Sequence, residues 1–451
     1  MAKVLLLALI TGLTGISFTL HAQEENVKSK LDNYLNLLEK NDKAMCAVQI
    51  NKNGNLFYEN QIGYASVEDS IPITAHTKFR IGSITKMFTA VMIFQLVEEN
   101  KLTLDTKLAE FYPDIANAQK ITISQMLNHH SGIHNFTDDE AYEKYMTIKK
   151  SKEEMLGIIT AMQPDFEPGE KSAYSNSNYV LLGYIIEDIT GMKYAQALKQ
   201  RITGNLNMTD TYYGGKINPE NNEAESYRFE NGQWQLQPET NMSIPGGAGA
   251  IVSTPGDLIV FITALFDNKL VSESSLEQMM DMQDHFGRGL LRFPFGKFIA
   301  YGFNGGIDGF QSNLAYFPEK DLTLSVLANG LNYNFNDILI GILSISFNAP
   351  FKIPDFSAQP VTLTIEQLNK YTGEYESDAL PLKIKLFIKE NDLYGQATGQ
   401  QPFPLIPYSE SEFKFEQAGI IIEFQTGTSG QVNYDSFVLN QAGGKYLYKR
   451  E

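Results

Sequence analysis

The chain has 451 residues and a formal net charge of −17. One hydrophobic core seldom serves so many residues, so the length predicts two domains. The negative charge, with Lys and Arg scattered along the chain, excludes nucleic acid as a partner. The single cysteine, Cys46, excludes an internal disulfide and a thiolate-rich metal cluster, and its apolar neighbours predict a buried thiol.

The first segment has the pattern of an export signal. A charged Lys3, an apolar stretch and a small-residue cleavage site near Ala22 are typical of a secretory signal peptide, residues 1–22. The stretch is too short and too often interrupted by Gly and Thr to span a membrane. We therefore expect an exported protein, periplasmic or secreted, without stable membrane insertion.

Similar elements are predicted at both ends of residues 23–348. Residues 24–41 have helical apolar spacing, and two strand patterns follow, joined by a hairpin turn at Asn53-Gly54. Near residue 310, QSNLAYF and DLTLSVLAN predict a second strand pair, and NDILIGILSISF predicts a helix. The segments between are mostly helical patterns: MFTAVMIFQLVEEN, ISQMLNHHSGI, NSNYVLLGYIIEDITG and TPGDLIVFITALFDN.

The simplest assembly of these elements is an α+β fold. Strands from both chain ends form one antiparallel sheet covered by their helices, and a helical lobe is inserted between them. A cleft between two such lobes is a common place for a binding site. Residues 349–360 are proline-rich and predict a linker, and residues 361–451 alternate apolar and polar side chains. This last segment predicts an antiparallel β domain, a small barrel.

Ser83 and Lys86, in RIGSITKMFTA, are the first candidates for chemistry. Residues three apart on a helix are neighbours, so a lysine with a desolvated, lowered pKa can activate a serine hydroxyl. The alternative is an N-capping serine followed by a surface lysine. Ser411 and Lys414 have the same spacing within a predicted β segment, so spacing alone does not decide between the two interpretations.

Two further stretches supply groups suited to the same chemistry. Tyr174-Ser175-Asn176 precedes a helical run, and a phenol near a lysine can transfer protons while an asparagine amide orients an acyl substrate. Gly305 and Gly306 begin a strand, where a backbone without side chains can approach a ligand and donate an N–H to an oxyanion.

In this order and with these flanks, the stretches resemble the serine β-lactamase-related superfamily, which includes class C β-lactamases, D-Ala-D-Ala carboxypeptidases and family VIII esterases. Its first motif is matched by Ser83-Ile84-Thr85-Lys86 and its second by Tyr174-Ser175-Asn176 after FEPGE. LNHHSGI at residues 127–133 and the glycine-rich run at residues 245–258 match other family segments. The resemblance covers about residues 28–348.

The resemblance implies acyl transfer through a covalent acyl-enzyme on a small-molecule or peptide substrate. Ser83 attacks an ester, amide or lactam carbonyl, and Lys86 and Tyr174 share the general-base and general-acid roles, with the first proton acceptor left open. Asn176 contacts the acyl side of the substrate, and the N–H groups of Ser83 and Gly306 bind the oxyanion. No cofactor and no metal is expected, and the resemblance leaves the oligomeric state undetermined.

One position departs from the family pattern. The third motif usually begins with Lys or His, which helps to hold a substrate carboxylate, whereas this chain has Phe303-Asn304-Gly305. The departure favours an ester or an uncharged amide over β-lactams and D-Ala-terminated peptides, and we assign Phe303 and Asn304 to the substrate-binding residues. The alternative is a penicillin-binding or cell-wall-peptide-binding protein with little turnover.

Overall fold

The computed structural model describes residues 24–427, 431–441 and 444–451. The predicted signal peptide, residues 1–22, lies outside them, so export remains a prediction. The described chain forms two compact units, one of residues 44–331 and one of residues 24–43 and 332–451. The predicted boundaries between a hydrolase domain, a linker and a β domain, at residues 348 and 361, remain predictions.

Strands lie mainly at the two ends of the 44–331 unit, as the sequence predicts. They are β1 (Ala44–Lys52), β2 (Asn55–Ile62), β3 (Tyr64–Ser66), β4 (Ile71–Pro72), β5 (Phe79–Arg80), β6 (Tyr212–Tyr213), β7 (Tyr227–Glu230), β8 (Gln233–Leu236), β9 (Ile251–Ser253), β10 (Leu291–Phe295), β11 (Phe298–Ile307), β12 (Phe310–Phe317) and β13 (Leu322–Leu331).

Helices occupy the middle of that unit and also occur in the other one. The helices are α1 (24–40), α2 (Thr85–Glu98), α3 (Ile123–Leu127), α4 (Tyr142–Tyr145), α5 (Lys152–Ala161), α6 (Asn176–Thr190), α7 (Tyr194–Leu198), α8 (Pro255–Phe266), α9 (Glu273–Met280), α10 (Phe335–Ser346) and α11 (Ile365–Asn369). Of the helices in the described part of the chain, none is long and apolar enough to cross a membrane.

The main sheet of the 44–331 unit joins strands from both of its ends. Its order is β10-β11-β12-β13-β1-β2, and neighbours in this order are antiparallel. The β1–β2 hairpin turns at Asn53 and Gly54, whose φ angles of 51° and 71° suit a tight turn with two left-handed residues. Ala44 pairs with Leu331, so the chain enters and leaves the unit at neighbouring positions. The predicted antiparallel sheet with an inserted helical region is confirmed.

The central helix α2 is mostly apolar because protein encloses it along most of its length. Every residue from Thr85 to Phe94 is buried, and the Phe88 ring stacks on Phe261 of α8 with centroids 3.7 Å apart. The N-cap of α8 is Thr254, whose hydroxyl accepts the Asp257 N–H at 3.2 Å.

One predicted helix is shorter than its apolar pattern suggests. The pattern ISQMLNHHSGI predicts a helix through residue 133, but α3 ends at Leu127. The break comes from backbone geometry: His129 and Gly132 have φ angles of 62° and 74°, in the left-handed region that a helix cannot contain.

The C-terminal segment forms a closed antiparallel barrel, which confirms the predicted small barrel. Its strands, in order, are β14 (Gly373–Glu376), β15 (Ile384–Lys389), β16 (Asp392–Ala397), β17 (Phe403–Pro407), β18 (Glu412–Phe415), β19 (Ile420–Thr426), β20 (Val432–Gln441) and β21 (Gly444–Arg450). β21 pairs with β14 and closes the ring. Aromatic side chains such as Tyr375, Phe424 and Phe437 form much of its core, with ring centroids 4.9–6.2 Å apart.

Candidate active site

Ser83 lies in a tight turn between β5 and α2. A 3-10 turn covers Gly82–Ile84, and α2 begins at Thr85. Residues three apart are neighbours on one face both in a 3-10 turn and in the α-helix that follows it, which places Lys86 beside Ser83. The N-cap of α2 is Ile84, without a side-chain cap bond. The interpretation of Ser83 as a capping serine is therefore wrong.

The structure brings four of the predicted site residues into one hydrogen-bonded cluster. The Ser83 hydroxyl oxygen lies 2.6 Å from the Tyr174 hydroxyl and 3.0 Å from the Lys86 Nζ. Lys86 Nζ also donates at 2.8 Å to the Asn176 Oδ1 and at 2.8 Å to the Ala248 carbonyl. Ser83 thus contacts both groups proposed to move its proton.

Lys86 is buried completely, with none of its surface exposed. Burial lowers the pKa of Lys86 well below its usual value, because an ammonium loses its hydration there. A neutral amine has two N–H groups and one lone pair. Asn176 Oδ1 and the Ala248 carbonyl can only accept hydrogen bonds, so they take both N–H groups. The lone pair is then directed at the Ser83 hydroxyl.

Burial changes the pKa of Tyr174 in the opposite direction to that of Lys86. Burial raises the pKa of Tyr174 to about 12, although its hydrogen bond with Ser83 lowers the pKa by a smaller amount. The phenol therefore keeps its proton at neutral pH and can donate it. Either hydroxyl can donate in the 2.6 Å hydrogen bond between Tyr174 and Ser83; with Tyr174 as the donor, the serine proton is free to point at Lys86.

The glycine-rich run around residue 247 lies along the polar side of α2. The Thr85 hydroxyl accepts the Ile251 N–H at 3.1 Å, and the Thr89 hydroxyl donates to the Gly247 carbonyl at 2.6 Å. Together with the Lys86 bond to Ala248, these contacts hold the carbonyl that receives a lysine N–H.

His129 supports the segment that carries Tyr174. Its Nδ1 accepts the Ser175 N–H at 3.1 Å, and its ring lies 4.7 Å from the Tyr174 ring, centroid to centroid. Burial, and then the nearby Lys86, hold the pKa of His129 well below its usual value, so the imidazole is neutral. With Nδ1 accepting, its proton is on Nε2. His129 thus fixes the backbone next to Tyr174 without adding charge.

The other two histidines of HHSGIH have separate partners. His130 Nε2 lies 3.1 Å from Asp284, and His134 Nδ1 lies 2.7 Å from Asp165. Across residues 24–427, 431–441 and 444–451, histidine, cysteine and acidic side chains do not gather in a group of three able to hold a metal ion.

The third motif contacts the Ser83 turn through backbone atoms. A Cβ added to Gly305 would lie 2.1 Å from the Ile81 carbonyl and 3.0 Å from the Ser83 nitrogen. A Cβ on Gly82, whose φ is 50°, would lie 2.8 Å from the Gly306 nitrogen. Strand β11 therefore passes so close to the Ser83 turn that Gly82 and Gly305 must be glycine, and the Gly306 nitrogen lies beside Gly82, the residue before Ser83.

A family model described as "Beta-lactamase" matches residues 36–343 of this chain, which include the whole cluster around Ser83. The chain belongs to the beta-lactamase family. With its named relatives, it falls in the serine beta-lactamase-related superfamily, as its motifs predict.

Three relatives of this beta-lactamase-family chain illustrate its similarities. Penicillin-binding protein 4* of Bacillus subtilis (strain 168) is 27% identical over 432 residues, 87% of this chain and 92% of that protein. Teichoic acid D-alanine hydrolase of Staphylococcus aureus (strain MRSA252) is 26% identical over 325 residues, 69% of this chain and 77% of its own. The D-amino acid amidase structure from Ochrobactrum anthropi SV3 is 26% identical with a TM-score of 0.62, and the match covers 72% of this chain and 99% of the amidase.

In this family member the first residue of the third motif is part of the hydrophobic core. Phe303 pairs with Leu314 on β12, and only 3% of it is exposed, so its ring offers almost no surface to a substrate. Asn304 is exposed, and its Oδ1 accepts the Asn313 amide at 2.6 Å. The substrate-binding roles assigned to Phe303 and Asn304 remain predictions.

Two contributors to the site were not predicted from the sequence. They are the Ala248 carbonyl and Thr137, whose hydroxyl accepts the Asn176 Nδ2 at 3.2 Å. The resemblance implied a structural His129 beside the cleft, and the glycine-rich run indicated the Ala248 segment without its role. Thr137 has no signal of its own in the sequence.

Proposed function

We propose that this beta-lactamase-family protein is a serine hydrolase that cleaves ester or amide bonds through an acyl-enzyme on Ser83. The observation that carries the proposal is the buried Lys86, whose Nζ lies 3.0 Å from the Ser83 hydroxyl oxygen and whose pKa burial lowers well below its usual value. The names of two relatives, a D-alanine hydrolase and a D-amino acid amidase, support hydrolysis.

In the acylation step, the Ser83 oxygen attacks the substrate carbonyl and its proton passes to Lys86. The N–H groups of Ser83 and Gly306 stabilise the oxyanion, each such donor being typically worth about 100- to 1,000-fold in rate. As the bond to the leaving group breaks, Tyr174 gives that group its proton. The phenolate that remains is stabilised by the new ammonium, since Lys86 Nζ lies 4.8 Å from the centre of the Tyr174 ring.

Deacylation reverses these transfers with water in place of the leaving group. Water attacks the acyl carbonyl and gives a proton to the Tyr174 phenolate. When the acyl–serine bond breaks, the Lys86 ammonium returns a proton to the Ser83 oxygen. Both groups end in their starting protonation states.

Replacing Ser83 by alanine is expected to lower p-nitrophenyl butyrate hydrolysis by at least about 1,000-fold, because the nucleophile is lost. Acid-quenched wild type should carry a butyryl group on the Ser83 peptide, seen by mass spectrometry. Ser411→Ala is the matched control, because Lys414 follows Ser411 by three residues but pairs with Glu412 at 3.1 Å. Full activity in Ser83→Ala would overturn the mechanism.

The substrate that fits the site best has no carboxylate on its leaving group. Phe303 occupies the position where a cation usually stands, and the nearby Arg80 is engaged by Asp308 at 2.7 Å and Glu239 at 2.9 Å. A D-amino acid amide, the substrate class in one relative's name, has its carboxylate masked. We therefore favour D-aminoacyl amides and esters.

The peptide bond of D-alanyl-D-alanine amide is expected to be hydrolysed with a kcat/KM about 10- to 100-fold higher than that of D-alanyl-D-alanine, because the free carboxylate loses hydration without a cation to pair with, at a cost of about 1–3 kcal/mol. The two peptides differ only at that group, so steady-state rates measured side by side isolate it. A preference for the free acid would contradict the assignment.

The second candidate function is a penicillin-binding protein with little turnover. It is favoured by the match to penicillin-binding protein 4* over 87% of this chain. A fluorescent penicillin distinguishes the two candidates: a stable adduct lost in Ser83→Ala, with no ester turnover, supports the binding protein. Rapid ester turnover without a lasting penicillin adduct supports the hydrolase.

A further inference from the structure

Arg80 precedes Ser83 by three residues and has a buried guanidinium, with 2% of the side chain exposed. Its Nη1 donates to Asp308 Oδ2 at 2.7 Å and to the Thr240 carbonyl at 3.0 Å. Its Nη2 donates to Glu239 Oε2 at 2.9 Å and to the Gly215 carbonyl at 3.0 Å. One side chain therefore ties three distant segments to the strand that leads into the Ser83 turn.

Asp308 is the matching anchor on the third motif. It follows Gly306 by two positions, in the turn between β11 and β12, and only 1% of its side chain is exposed. Its Oδ1 accepts the Thr240 N–H at 3.0 Å and the Thr240 hydroxyl at 2.7 Å, while Oδ2 accepts from Arg80. The carboxylate thus accepts three hydrogen bonds, which hold it in one orientation.

The two segments that the ion pair joins are those that carry the proposed oxyanion donors. Between them, Gly305 lies against Ile81 and Ser83, and Gly82 lies against Gly306, through backbone atoms. A buried ion pair is a poor source of stability compared with apolar packing, but it imposes one geometry. We propose that Arg80 and Asp308 are positioning residues that set the distance between the N–H groups of Ser83 and Gly306.

This inference rests on the proposed function only through the oxyanion site, and its test does not depend on turnover alone. Butylboronic acid forms a tetrahedral adduct with a serine and places an oxygen where the oxyanion would lie. Asp308→Asn keeps the shape but opposes an amide N–H to the Arg80 guanidinium. We expect kcat/KM for p-nitrophenyl butyrate to fall about 10- to 100-fold, and the boronate Ki to rise by a similar factor.

A milder variant and a matched control complete the experiment. Thr240→Val removes the 2.7 Å hydrogen bond from the Thr240 hydroxyl to Asp308. This variant should lower kcat/KM and raise the boronate Ki by smaller factors than Asp308→Asn. Glu99→Gln weakens a different arginine–carboxylate ion pair of the 44–331 unit, in which Arg201 donates to Glu99 at 2.7 and 3.1 Å. This variant should change neither kcat/KM nor the boronate Ki. Circular dichroism and Tm establish that each variant is folded.

The outcomes distinguish failure of the positioning role from failure of the proposed function. Folded Asp308→Asn and Thr240→Val proteins that keep kcat/KM and Ki within about threefold would overturn the positioning role, even where Tm falls. If Ser83→Ala keeps ester hydrolysis, the proposed function fails instead. In that case the dissociation constant of the boronate, measured by direct binding to wild type, Thr240→Val and Ser83→Ala, still decides whether the pair sets the donor geometry at Ser83.

Discussion

Lys86→Met is expected to lower kcat/KM for ester hydrolysis by about 100- to 10,000-fold, because the general base that faces Ser83 is removed while the side-chain volume is nearly kept. Methionine also leaves the Asn176 and Ala248 oxygens without the N–H groups they accept at 2.8 Å. Initial rates with p-nitrophenyl butyrate measure the loss. Lys414→Met, in the barrel, is the control and should have wild-type rates; a Lys86→Met rate within tenfold of wild type would exclude the base role.

The same variant should change how stability depends on pH. The folded-state pKa of Lys86 is depressed below its unfolded value of about 10.4, so between the two pKa values the unfolded chain binds more protons. The free energy of unfolding contributed by this group therefore rises with pH, by up to about 1.4 kcal/mol per pH unit, and falls as the pH drops through that window. Denaturant titrations at several pH values should show this slope in wild type and not in Lys86→Met; parallel curves would contradict a depressed pKa.

Gly305→Ala is expected to damage both the fold and the chemistry. The new Cβ would lie 2.1 Å from the Ile81 carbonyl and 2.4 Å from the Ser312 hydroxyl, so β11 must move away from the Ser83 turn. Overpacking of this kind costs about 1–3 kcal/mol, and a displaced oxyanion donor costs about 100-fold or more in rate. Denaturant unfolding and ester kinetics measure the two effects.

Gly306→Ala is the matched control for that prediction. A Cβ on Gly306 would meet only the Phe310 carbonyl, at 3.9 Å, which is ordinary contact. The free energy of unfolding should stay within about 1 kcal/mol of wild type. Equal destabilisation by the two alanines would show that general glycine flexibility, and not contact with the Ser83 turn, accounts for the Gly305 effect.

Local sequence patterns predicted most of the fold. The apolar run of α2, the Asn53-Gly54 hairpin and the alternating strands of the barrel each follow from neighbouring residues, which is why they were predictable. The end of α3 was not, because the left-handed conformation of His129 replaces the helical continuation that its sequence favours. Its Nδ1 bond to Ser175 comes from a segment 46 positions away.

The motifs of the candidate site were predictable from the sequence, and the long-range hydrogen bonds between its segments were not. Ser83, Lys86 and Tyr174 were found because their stretches, in this order and with these flanks, resemble a known family, whereas each stretch alone was ambiguous. The acceptor at Ala248 lies 162 positions from Lys86, and Asp308 lies 228 positions from Arg80. Such contacts depend on how the sheet and the glycine-rich run close over α2, which no spacing within a single segment reveals.

The pairing of Ala44 with Leu331 places the two ends of the 44–331 unit side by side. Its two chain ends leave from adjacent strands, so joining them by a short linker asks little of the backbone, and circular permutation should be tolerated where termini lie this close. We expect that new flanking segments can be joined at these two neighbouring ends without moving the residues around Ser83.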